Sequence, residues 1–251
     1  MSVADVTRAE PRGLQLLGTP TPVVVGGAPV RLGQKPLVLL ARLLLEPRPI
    51  TRESMMTFLW PEANEAQARG SLRQALHVLR LAMGADSIVT DRYTIAAALM
   101  PDVDLLQFLR AMRERDHHGA SLLYGGRLLD GIALADATDA ELWLDFERRR
   151  LARLFELAAT SVLETTPVAS VGESRVTIAS RFRDMIPHEV RAWRHLLEAL
   201  AMATAYDAFR MEQAALTARL ETGQIADPQA AIALLCLDMH AMASTGRSTA
   251  A

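Results

Sequence analysis

The run Glu65–Met83, EAQARGSLRQALHVLRLAM, followed by Gly84, is the most informative segment of the chain. At 100° per residue, Leu72, Leu76, Leu79 and Met83 fall on one stripe, and Arg69, Arg73, His77 and Arg80 fall on the neighbouring one. The spacing predicts a helix with one packing face and one cationic face, stopped at Gly84. No acidic residue lies between Ala66 and Met83, so nothing local is expected to neutralise the guanidinium groups. Gly70 and Gln74 extend the polar sector, giving a surface with donors for phosphates and base edges. A glycine inside a helix costs about 1 kcal/mol relative to Ala. Either close approach of another surface or simple tolerance near the helix start accounts for it.

A solvated basic face is the plain alternative to DNA binding, and the surroundings of the helix shift the balance. Upstream, Gln34–Leu45 reads as a helix with Pro36 tolerated in its first turn and Pro47 and Pro49 ending it. Thr51 is the expected N-cap of a helix carrying Met55, Met56, Phe58, Leu59 and Trp60, which Pro61 stops. Between Leu14 and Leu32, apolar runs punctuated by Gly18-Thr19-Pro20 and Gly26-Gly27 predict three short antiparallel strands. Downstream, Ile88-Val89-Thr90 and Tyr93-Thr94-Ile95 flank Asp91-Arg92 as a tight hairpin. Strands, helix, helix, helix, hairpin is the order of a winged helix with an extra amino-terminal sheet. In that architecture the third helix enters the major groove.

After Pro101 helical periodicity dominates. Helices are predicted at Asp104–Glu114, Glu141–Leu163, Glu173–Met185, His188–Met202, Tyr206–Leu220 and Pro228–Met242. Gly172-Glu173 and Ala203-Thr204 lie about one tetratricopeptide length of 34 residues apart, with Ile186-Pro187 as the break between. The expected fold class is mainly α: a winged helix with a small antiparallel sheet and wing hairpin, then an all-α tetratricopeptide-like repeat domain. The expected organisation is a flexible leader at 1–12, a DNA-binding winged-helix domain at 13–100, the helical domain at 101–243 and a disordered tail at 244–251.

Composition bounds the function. A chain of 251 residues, half of them apolar, is long enough for two domains with their own cores. The net charge of −2 does not single out a nucleic-acid partner, but its distribution is uneven. Residues 13–100 hold nine Lys/Arg and six Asp/Glu, a balance of +3, whereas residues 101–251 hold sixteen against twenty-one, a balance of −5. The single cysteine, Cys236, excludes an intrachain disulfide and fits a reducing cytosol. Asp5, Arg8, Glu10 and Arg12 leave the first twelve residues without the apolar core of a secretory signal. The longest apolar run, Leu37–Leu45, contains Arg42 and falls short of the roughly 20 residues that span a bilayer. A cytoplasmic protein without a membrane partner is expected.

Enzyme signatures are missing from the sequence. No Gly-rich loop with Lys-Ser/Thr offers a phosphate cradle. His117 and His118 are adjacent, so on a helix they point about 100° apart and make a poor metal pair. Glu62, Glu65, Asp136, Asp139 and Glu141 sit at turns and helix starts, where they cap and complement the helix dipole. The expectation is a binding protein with no catalytic residue, cofactor or metal.

Several of these segments, taken together, resemble one family. Leu14-Gln15-Leu16-Leu17-Gly18, Pro29-Val30-Arg31-Leu32-Gly33 with Lys35-Pro36, Leu59-Trp60-Pro61, and Ala68–Leu76 with Leu79-Arg80 are similar to the winged helix of the SARP family of antibiotic regulatory activators. Val103-Asp104 before Phe108, Tyr124–Gly131, and Trp143-Leu144 with Phe146-Glu147-Arg148-Arg149 resemble its second part. The members of that family join an OmpR-like winged helix to a bacterial transcriptional activator domain (BTAD). The resemblance implies a sequence-specific activator that binds direct repeats in promoters, as a homodimer or side by side, and engages RNA polymerase. The candidate DNA-binding residues are Arg69, Gly70, Arg73, Gln74, His77 and Arg80 on the third helix and Arg92 in the wing. Arg73 is the foremost candidate for base readout, and Arg80 is expected nearer the backbone or the solvent. The wing, Thr90-Asp91-Arg92-Tyr93, departs from the family in being shorter and lacking its glycine. The rival reading is a helical-repeat interaction module whose winged helix serves docking or dimerisation, which the acidic carboxyl-terminal balance suits.

Overall fold

Local signals start and stop the elements largely where the chain chemistry places them. In this computed structural model residues 14–21, 23–25, 28–98, 102–165 and 174–238 are described. The expected leader and tail, the Gly26-Gly27 turn and the Gly172 repeat turn lie outside those residues. The chain divides into two compact units. One comprises the described residues up to Arg110 with Gly126–Leu151, and the other comprises Ala111–Gly125 with the described residues from Ala152 on.

The first unit begins with an antiparallel pair, β1 (Val23–Val25) and β2 (Ala28–Val30), with Val24 opposite Pro29. Helix α1 (Gln34–Leu45) buries Leu37, Val38, Leu39, Leu40, Ala41 and Leu43. Strand β3 is only Ile50–Thr51, and the Thr51 hydroxyl then caps α2 (Arg52–Leu59) by accepting the Ser54 N–H at 3.1 Å. Helix α3 (Glu65–Met83) opens on a capping box: Asn64 accepts the Gln67 N–H at 3.0 Å, and the Gln67 side chain accepts the Asn64 N–H at 3.2 Å. It ends at Gly84, whose φ of 101° suits only glycine. A short 3-10 turn at Ala85–Ser87 leads into β4 (Ile88–Thr90) and β5 (Thr94–Ala97). The sheet order is β3-β5-β4, all antiparallel, with Ile50 and Thr90 both opposite Ile95. A mainly helical chain with a small antiparallel sheet is what the sequence pattern predicts.

Three differences separate the structure from that pattern, the first of them tertiary in origin. The first of the strands expected before residue 33 is replaced by a single bridge from Leu17 to Leu128. There the Leu16 and Leu17 N–H groups donate to the Asp104 carboxylate at 2.8 and 2.9 Å, and the Leu129 N–H donates to the Leu16 carbonyl at 2.8 Å. Strand β3 goes unseen in the sequence because two residues carry no periodicity. Helix α5 (His117–Leu123), capped by Asp116 on the Gly119 N–H at 2.8 Å, is too short for a period to register.

Helix α4 (Asp104–Glu114) follows the wing, and α6 (Thr138–Thr165) begins ahead of the expected Glu141. Before α6 the chain is organised by buried Arg148, whose guanidinium donates to the carbonyls of Leu128 (3.0 Å), Leu129 (2.9 Å) and Ile132 (2.7 Å). Arg42 from α1 lies over the Phe58 ring at 4.3 Å and the Trp143 ring at 5.2 Å, joining α1, α2 and α6 within this unit.

The second unit is helical among its described residues. Helices α7 (Ser174–Met185), α8 (Val190–Met202), α9 (Tyr206–Glu221) and α10 (Pro228–Leu235) pack each against the next. Helix α10 stops at Leu235, short of the expected Met242. Trp193 is fully buried and donates its indole N–H to the Pro187 carbonyl at 2.9 Å, which ties α8 to the turn before it. Among the described residues, no helix is long and apolar enough to cross a membrane.

Candidate nucleic-acid interface

The candidate residues group on α3 and the wing, and the buried face of α3 sets their direction. Ala68, Leu72, Ala75, Leu76, Leu79 and Ala82 are buried against the first unit. The helix therefore turns Arg69, Arg73, Gln74 and His77 to solvent. The side chains of Arg73, Gln74 and His77 have no hydrogen bond or ion pair with any described residue, so their donors are open to an incoming surface.

Arg69 differs from them. It forms an exposed ion pair with Glu65 one turn earlier, a residue just outside the acid-free window. The expectation that nothing local neutralises these arginines thus holds for Arg73 and not for Arg69. Gly70 sits half-exposed on the same helix, and a Cβ built on it meets nothing within 4 Å. No internal packing requires glycine there.

Arg80 turns away from the others. Its Nη2 donates to the Ile88 carbonyl at 3.0 Å and to Thr90 Oγ1 at 2.8 Å, so its guanidinium is held against β4. The wing turn is built by Asp91, whose carboxylate accepts the Tyr93 N–H (2.7 Å), the Thr94 N–H (2.6 Å) and the Thr94 hydroxyl (2.8 Å). The bonds from Thr94 and Tyr93 hold that carboxyl below the ordinary aspartate range, so it stays ionised. At the tip, Arg92 is exposed, with its guanidinium 5.3 Å from the centre of the Tyr93 ring, and Tyr93 is 67% exposed.

Two further residues belong to this surface and are not singled out by the sequence pattern. Arg52, first in α2, donates its Nε–H to the Asp91 carbonyl at 3.1 Å, and Tyr93 projects from the turn. The signal for the turn is present in the sequence, since Asp91 three residues before Thr94 is a side-chain-capped turn pattern. An open cleft of about 950 Å³ lies between the start of α2, the first half of α3 and the wing tip. Arg52, Arg69 and Arg92 line it together with Glu53, Glu65 and Asp91, so its charge is balanced. The net positive, unpaired part of the surface is the Arg73–His77 face.

No family model matches the chain. No curated protein matches it either. Among solved structures, it is similar to Mycobacterium tuberculosis EmbR in complex with a low affinity phosphopeptide, at 20% identity and a TM-score of 0.48, over 96% of this chain and 69% of that one. At that identity and TM-score the likeness assigns neither a family nor a function.

Proposed function

We propose that this chain is a sequence-specific DNA-binding transcription regulator of the SARP type, with α3 in the major groove and the wing on the flanking backbone. Arg73, Gln74 and His77 meet base edges and phosphates, Arg69 meets phosphate once Glu65 yields it, and Arg92 meets the backbone at the wing. The carrying observation is the open, unpaired Arg73–Gln74–His77 face on a capped helix whose opposite face is buried, directly before a two-stranded wing. The resemblance extends the reading to a BTAD-like repeat domain at 101–243, direct-repeat promoters bound by two copies, engagement of RNA polymerase and a cytoplasmic location. The role is binding rather than catalysis.

Titration of the full chain against labelled duplex DNA over a range of salt tests this. Arg73→Ala is expected to weaken binding and to flatten the slope of log affinity against log salt by about 0.9 if Arg73 meets a phosphate. If Arg73 instead reads a base edge, the loss is about 1 to 3 kcal/mol and is confined to the cognate site. Glu65→Gln, which frees Arg69 and removes a negative charge, is expected to strengthen binding. A folded Arg73→Ala chain with unchanged affinity and slope on both site types overturns the reading. The acidic balance of residues 101–251 would then favour a helical-repeat surface for a basic protein segment.

A further inference from the structure

Arg80 bridges the last turn of α3 and the strand that feeds the wing turn. One nitrogen, Nη2, donates to the Ile88 carbonyl and to the Thr90 hydroxyl, the first and last residues of β4. β4 is only three residues long and, in the order β3-β5-β4, lies at the sheet edge with a strand neighbour on one side alone. Its angle to α3 is therefore weakly set by the sheet. The link from α3 to β4 is Gly84 and a single 3-10 turn. At that junction a half-buried guanidinium makes two charge-assisted bonds, a direct side-chain tie from α3 to both ends of β4.

We propose that Arg80 is a positioning residue for DNA binding: it holds the wing at a set angle to α3 so that Arg92 reaches the backbone beside the groove that α3 enters. This rests on the DNA-binding reading above. Both donors on Nη2 are committed to β4, and the positioning role assigns no DNA contact to Nε or Nη1.

The full chain is titrated against a fluorescent random-sequence duplex of about three helical turns, a probe that reports phosphate contacts without a known operator. The variants are Arg80→Ala, Arg80→Lys, Thr90→Val, Arg92→Ala and the double variant Arg80→Ala/Arg92→Ala. Thr90→Val removes one acceptor while keeping a β-branched residue in the strand, so it tests the same link if Arg80→Ala fails to fold. Arg80→Ala and Arg92→Ala are each expected to weaken binding on the order of tenfold at low salt and to flatten the salt slope by about 0.9, the signature of one lost phosphate contact. The double variant is expected to lose no more than either single one. Thr90→Val gives a smaller loss in the same direction, and Arg80→Lys restores part of it, since Nζ carries three donors on one atom. Without DNA, amide exchange across residues 88–97 is expected to quicken in Arg80→Ala.

Losses that multiply in the double variant, with a slope change of about 1.8, would make Arg80 a phosphate contact and overturn the positioning role. Unchanged affinity or unchanged exchange in folded Arg80→Ala overturns it as well. If the unsubstituted chain binds no duplex, the DNA reading itself fails and takes this inference with it. If the unsubstituted chain binds and only the Arg80 variants disagree, the DNA reading stands.

Discussion

The Asp104 carboxylate accepts the backbone N–H of Leu16 at 2.8 Å across 88 residues of chain, and through its other oxygen that of Leu17 at 2.9 Å. Burial raises the carboxyl's pKa, and the bonds from Leu16, Leu17 and Leu105 work against that shift. The segment at Leu16–Leu17 is thus held by the first residue of α4, beyond β5. A fragment spanning 13–100 leaves behind Asp104, Leu128 and Trp143, all of which contact it in the full chain. A fragment spanning 13–151 keeps them. The longer fragment is expected to unfold cooperatively in urea and the shorter one to lose most of that cooperativity. In the full chain, Asp104→Asn keeps one acceptor but turns an NH2 group toward an N–H donor, and is expected to cost about 2 to 4 kcal/mol. Equal urea midpoints for Asp104→Asn and the unsubstituted chain would remove the closing role.

Trp193 and Trp143 are structural to different degrees. Trp193 is fully buried and hydrogen-bonded, so Trp193→Ala is expected to cost about 3 to 5 kcal/mol. Trp143 is half-buried and stacks edge-on against Phe58 at 5.9 Å, with Arg42 over its face. Its replacement by Ala loses partial burial and a cation–π contact, about 2 kcal/mol. A larger loss for Trp143→Ala than for Trp193→Ala in urea titration would contradict this ranking.

Gly70→Ala separates fold from interface. With no atom beyond its chain neighbours and its own helical turn within 4 Å of the added Cβ, the substitution is expected to stabilise the chain by about 0.5 to 1 kcal/mol through helix propensity. If DNA approaches the helix closely at that point, affinity falls while the melting temperature rises. A lower melting temperature would mean that the helix around residue 70 is strained in a way the packing does not reveal.

In the second unit, His195 Nε2 lies 3.7 Å from Glu164 and Nδ1 lies 3.8 Å from Glu198. Burial holds its pKa below the ordinary 6.5; Glu164 opposes that shift, and Arg175 and Arg194 add to it. The unfolded chain therefore takes up the proton more readily than the folded one. The stability that His195 contributes is complete above pH 6.5 and is lost as pH falls toward the lowered folded pKa, by up to about 1.4 kcal/mol per pH unit. Urea titrations between about pH 7.5 and 5.5 are expected to show a smaller acid loss in His195→Gln than in the unsubstituted chain. Matching pH slopes would assign the acid sensitivity elsewhere.

Much of the architecture is legible because its causes are local. Periods of 3.6 residues, proline stops, the Thr51 cap and the Gly84 stop act within about one turn, so α1, α2, α3 and the wing hairpin can be placed from residues at hand. The exposed Arg73–Gln74–His77 face follows from the same arithmetic, since burying Leu72, Leu76 and Leu79 turns the neighbouring stripe outward. The Glu65–Arg69 pair is equally local, an i to i+4 contact at the first residue of the helix.

The remaining features depend on partners distant in sequence or too short to carry a pattern. Nothing near Leu17 indicates Leu128, and nothing near Leu16 indicates Asp104, because backbone amides pair with whatever acceptor the folded chain brings within reach. The wheel places Arg80 on the cationic side of α3, yet its guanidinium ends on Ile88 and Thr90. A long flexible side chain reaches acceptors beyond its own helix, and here they lie on β4, which no spacing within α3 indicates. Helical spacing determines the side of α3 on which an arginine starts. Packing of the wing determines which of those arginines, Arg73 rather than Arg80, keeps its donors free.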